Sequence, residues 1–173
     1  MNVTSLTKNK PLQIPALLVT ITLMLLFPYV IHLIGGPTAG ARWLPIFYAP
    51  FVAALLFNPL VAIIAALSAP FLNHLLMGAP ALPMALMLSV ELLVFVLLAW
   101  QLSRRWPAFW GAAALAYLLA KLSSTLLLAI LPVTLLPLPP AQFLSSALIA
   151  AWPGLLVLLF INWLTISGLQ RGA

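Results

Sequence analysis

Apolar positions in this chain run on for about twenty residues at a time and are broken by short clusters rich in glycine, proline or arginine. An α-helix needs about 20 residues to cross the hydrocarbon core of a bilayer, so each run reads as a membrane span. The first, Gln13 to Ile34, follows Lys8 and Lys10 and stops at Gly35-Gly36-Pro37. The second, Leu44 to Phe57, contains Pro45 and Pro50, closes at Asn58-Pro59, and is short for a bilayer unless Arg42 snorkels at its outer end. The third to sixth are Leu60 to Met77, Pro83 to Leu102, Ala108 to Leu131 and Ala141 to Ile166. The pattern predicts an all-α membrane protein, with six transmembrane helices in one compact bundle over residues 1–173.

Ala39-Gly40-Ala41 resembles a small-residue cleavage site, which opens a signal-peptide reading of the first run. About twenty apolar residues exceed a usual h-region, so the run is kept as a span.

Composition removes the alternative of a water-soluble globule. Of 173 residues, 65% are hydrophobic and 5% charged, against about 25% charged in an ordinary soluble domain. The chain has no cysteine, which excludes disulfides, thiol catalysis and thiolate metal sites. Its formal charge of +6 comes from basic residues scattered at helix ends and loops, which favours lipid headgroups over nucleic acid as counter-charges.

Those basic residues also orient the bundle, because cytoplasmic loops carry the excess of Lys and Arg. Six spans with both termini cytoplasmic place Lys8, Lys10, Arg104, Arg105 and Arg171 inside and leave Arg42 as the basic loop residue outside. A re-entrant second span would put the N-terminal lysines and Arg104-Arg105 on opposite sides. Trp100, Trp106, Trp110 and Trp163 then fall near the inner interface and Trp43 near the outer one. Small residues spaced by four (Ala49/Ala53, Ala62/Ala66, Ala112/Ala116/Ala120, Ala147/Ala151) permit close helix approach, and packing within the chain is the default expectation.

Polar side chains within spans are costly and therefore informative. Glu91 lies about eight residues below the outer end of the fourth span and Lys121 about ten below that of the fifth; at ~1.5 Å per residue their depths differ by a few Å. A buried ion pair between them is geometrically possible, either as mutual neutralisation or as part of a ligand site. Asn73, His74, His32 and Arg42 also lie toward the outer end, as do Ser123, Ser124, Thr125, Ser145 and Ser146. This one-sided polarity predicts a shallow outer cavity, with Trp43, Phe47 and Tyr48 above it and a substrate site formed by His32, Arg42, Asn73, His74, Glu91 and Lys121.

Catalysis has little to work with. Glu91 is the one acidic residue, so neither a carboxylate pair nor a two-carboxylate metal site can form. HExxH, GxSxG and GxxxxGK[ST] are all missing from the sequence. No enzyme, metal or cofactor is expected, and any coupling to ATP must come from partner chains.

Leu44-Pro45 through Asn58-Pro59, then Ser68-Ala69-Pro70-Phe71-Leu72, then Met77-Gly78-Ala79-Pro80-Ala81-Leu82-Pro83, then Met87 and Glu91 occur in that order. Over residues 35–102 this succession resembles the substrate-binding S components of energy-coupling factor (ECF) transporters. Many members carry a histidine near the start of the second span, where this chain has Phe47-Tyr48, and glycines in the third span, where it has Ala65 and Ala66. Their alanine-rich docking pattern on the first span is here reduced to Ala16 and Thr20. Members that bind cobalt or nickel use an N-terminal histidine that is Asn2 here. The resemblance implies a six-helix subunit of a bacterial or archaeal cytoplasmic membrane. It captures a vitamin or related micronutrient at its outer face and works with a transmembrane coupling (T) subunit and two ATPase subunits.

Two other readings remain open on the sequence. One is a non-transporting six-span scaffold, such as the small subunit of the bacterial cell-shape machinery. The other is a standalone secondary transporter coupled to protons through Glu91 and Lys121.

Overall fold

A computed structural model describes residues 13–36, 38–130 and 139–171, the last three by backbone alone. Asn2, Lys8, Lys10, Pro37 and Leu131, used in the sequence reading, lie outside the described residues, as does the side chain of Arg171. The helices are α1 (Gln13–Gly35), α2 (Ala39–Trp43), α3 (Pro45–Leu56), α4 (Pro59–Met77), α5 (Leu82–Arg105), α6 (Ala112–Ile130) and α7 (Pro140–Arg171). Six segments are long and apolar enough to cross a membrane, with α2 and α3 together, Ala39–Leu56, forming the second. The protein is an all-α, six-span bundle with no strand among the described residues.

Boundaries follow local chemistry. At α4 the Asn58 side chain accepts a hydrogen bond from the Leu60 amide at 2.9 Å, Pro59 takes the first helical position, and Gly78 ends the helix at φ 69°. The sixth span extends beyond the expected Ala141–Ile166 because Pro140 starts a helix that continues to Arg171. The fifth begins at Ala112 rather than Ala108, since Pro107 follows the end of α5 and residues 108–111 make a turn instead.

The second span breaks at Leu44, which adopts a left-handed conformation at φ 54°, ψ 38°. Pro45 supplies a cause, because a residue before proline is disfavoured in the right-handed helical region. A non-glycine residue held there costs of order 1–3 kcal/mol, which its surroundings must offset. Leu44 is buried in the core, and Tyr48 donates its hydroxyl proton to the Trp43 carbonyl across the break.

Helix α3, the doubtful span of the sequence reading, forms the axis of the bundle. It packs against α1, α4, α5 and α7, while α1, α4, α5, α6 and α7 follow one another around it and α2 bridges α7 and α1. Over the Ala39–Leu56 segment 56% is buried, against 11% for α1. Phe47 meets Phe95 and Tyr117 edge-on at 5.0 and 5.2 Å between ring centroids, and Phe51 lies 6.2 Å from Phe95. The expectation that Phe47 covers an outer cavity is corrected here, because this ring is buried in the aromatic centre. Ala49, Ala53, Ala62, Ala66, Ala112, Ala116, Ala120 and Ala151 are all buried, so their small-residue seams serve packing within the chain.

Candidate functional site

Helix α6 presents Lys121, Ser124 and Thr125 on one face, at spacings of three and four residues, and that face meets α5 at Glu91. Lys121 donates from Nζ to Glu91 Oε2 at 2.7 Å, and Ser124 Oγ lies 3.1 Å from the same oxygen. The Lys121 carbonyl accepts from Thr125 Oγ1 at 2.8 Å and is 3.0 Å from Ser124 Oγ. Above the ammonium, the Phe143 ring of α7 is 5.0 Å away and the Tyr117 ring 5.9 Å. Glu91 is 3% exposed, so its charge depends on this pairing rather than on water.

The cluster has unused hydrogen-bonding capacity. Among the described residues Glu91 Oε1 is buried without a partner, and an ammonium has three donors, of which one is spent on Oε2. Net neutral, with an acceptor and donors to spare, the pair can engage a small solute that offers a complementary polar edge.

The other four predicted residues sit toward one end of the bundle, whereas Glu91 and Lys121 lie near mid-helix, and they make different contacts. His74 Nδ1 donates to the Pro80 carbonyl at 2.9 Å and pins the turn between α4 and α5. Its neighbour Asn73 is buried on α4. His32 is exposed, donates from Nδ1 to the Pro28 carbonyl of its own helix at 2.6 Å, and lies so near Gly40 that a Cβ there would meet its ring at 2.6 Å. Arg42 is exposed, 6.0 Å from the Trp43 ring. No hydrogen bond among the described residues joins these four to the Glu91 cluster. Ala16 and Thr20 face into the bundle, with Thr20 donating to the Ala16 carbonyl at 2.7 Å, so neither presents an outward docking face.

Sequence reasoning passed over Asn162, which is fully buried on α7. Its Nδ2 donates to the Trp110 carbonyl at 2.5 Å and lies 3.4 Å from that of Phe109, tying the turn before α6 to α7. A lone amide in an apolar run was the available signal. Ser89 was likewise passed over; its hydroxyl lies 2.9 Å from the Ala85 carbonyl and 3.3 Å from that of Leu67 on the facing helix α4. At the end of the bundle where Asn162 holds the turn before α6, an open groove of about 570 Å³ runs along Arg105, Trp106, Pro107, Ala108, Phe109 and Leu115.

Searches of protein-family models, curated proteins and solved structures find no match to the chain.

Proposed function

We propose that this multi-pass membrane protein is the substrate-capture subunit of an ECF-type ATP-dependent importer. In this reading it takes a vitamin or related micronutrient from the outer face and passes it on with a T subunit and two ATPase subunits. The observation that carries the proposal is the buried Glu91–Lys121–Ser124 cluster, whose carboxylate keeps a free oxygen inside an otherwise apolar bundle. Structural bundles have little use for a costly charge pair with an acceptor left unpartnered among the described residues, whereas a binding site needs one. In this reading His32, Arg42, Asn73 and His74, toward the helix ends on one side of the cluster, complete the proposed substrate-facing set. Mass spectrometry of the purified protein, followed by titration of the compounds it reveals, tests the reading. Saturable binding that Glu91→Gln abolishes is the expected result, and no saturable small-molecule binding overturns it.

A non-transporting scaffold of the cell-shape type is the second reading, favoured by the closeness with which Glu91 and Lys121 satisfy each other at 2.7 Å. Co-isolation separates the two. Coupling and ATPase subunits mark the importer, and cell-wall synthesis proteins mark the scaffold.

A further inference from the structure

The chain contains seven Lys and Arg residues and one acidic side chain. That one, Glu91, is consumed inside the bundle by Lys121. No carboxylate side chain of this sequence is therefore left for the exposed pair Arg104 and Arg105 at the end of α5, and both charges are open to an anion from outside.

The surroundings specify what that anion is attached to. Arg105 borders the open groove, whose other lining residues, Trp106, Pro107, Ala108, Phe109 and Leu115, present apolar surface. Trp106 and Phe109 stand edge to face at 6.4 Å between centroids, and Arg104 lies over the Trp100 ring at 4.8 Å. Trp106 and Trp110 are both more than half exposed, as side chains anchored at a membrane interface are. A cationic rim above an apolar trough at headgroup depth matches a molecule with an anionic head and hydrocarbon tails.

We propose that this groove is a specific site for an anionic phospholipid. Its phosphate pairs with Arg104 and Arg105 and one acyl chain lies along Trp106, Phe109 and Leu115. The site is separate from the Glu91 cluster and does not depend on what that cluster binds.

The test uses the full chain in detergent micelles doped with phosphatidylglycerol or phosphatidylcholine, read by native mass spectrometry. Retention of phosphatidylglycerol in preference to phosphatidylcholine is expected, with affinity falling about 30-fold in Arg104→Gln/Arg105→Gln, which is about 1 kcal/mol per arginine at tenfold per 1.4 kcal/mol. Trp106→Ala keeps both charges; it is expected to weaken binding of the diacyl lipid while leaving short-chain glycerophosphate binding as it was. Equal retention of the two lipids, or undiminished phosphatidylglycerol binding in the double variant, overturns the assignment. Loss of a co-purifying protein subunit from the double variant with lipid retention unchanged also overturns it and makes the groove a protein contact.

Discussion

Gly154 on α7 rests directly on the peptide that links α2 to α3: a Cβ built on it would lie 2.7 Å from the Trp43 carbonyl carbon and 2.8 Å from its oxygen. This contact lets the long last span close onto the break in the second. Backbone cannot yield as a flexible side chain does. Gly154→Ala is therefore expected to destabilise the bundle by about 1–3 kcal/mol through overpacking. Thermal unfolding in detergent checks this, with Gly168→Ala, where a Cβ meets nothing within 4 Å, expected to keep or slightly raise the midpoint, since a helix favours alanine over glycine.

Neutralising one partner of the buried pair strands the other charge in an apolar setting. Glu91→Gln and Lys121→Met are each expected to cost about 2.5–3.5 kcal/mol, the scale for an unpaired charge at the centre of a span. The double variant removes both charges and is expected to cost clearly less than the two single changes added together. Denaturant titration of all four proteins measures the coupling; strict additivity would show that the two groups do not support one another.

His74 holds a turn rather than a core, so its removal has a local effect. His74→Ala deletes the hydrogen bond to the Pro80 carbonyl and is expected to cost about 0.5–1.5 kcal/mol. Amide hydrogen exchange should accelerate at residues 78–82 and remain unchanged in α6.

Asn162→Leu keeps the side-chain size and withdraws the donor from the Trp110 carbonyl. Leaving that carbonyl without its partner is expected to cost about 1–3 kcal/mol. A lowered thermal midpoint, together with faster exchange at residues 109–113, is the signature.

The spans were legible in the sequence because hydrocarbon thickness and Gly/Pro punctuation impose length independently of packing. The meeting of Glu91 and Lys121 was legible too, since matched depth on consecutive antiparallel helices narrows the partners to one. Rotation was not. In water, polar residues mark the outer face of a helix, but in lipid both faces are apolar and the pattern no longer says which side turns inward. Phe47 therefore read as a lid and is a centre, and Ala16 and Thr20, the remnant of the docking pattern on the first span, point into the bundle. The axial place of α3 was hidden for the same reason, although its shortness and its prolines fit a segment shielded by its neighbours.

That axial segment is also the least hydrophobic of the six, at a mean hydropathy of 1.4. It leaves the ribosome ahead of the four helices α4 to α7, three of which later pack directly against it. During synthesis its prolines and kinked backbone thus confront acyl chains that they no longer meet once the fold is complete. Biogenesis of this protein consequently turns on how long the insertion machinery shelters one segment before its companions arrive.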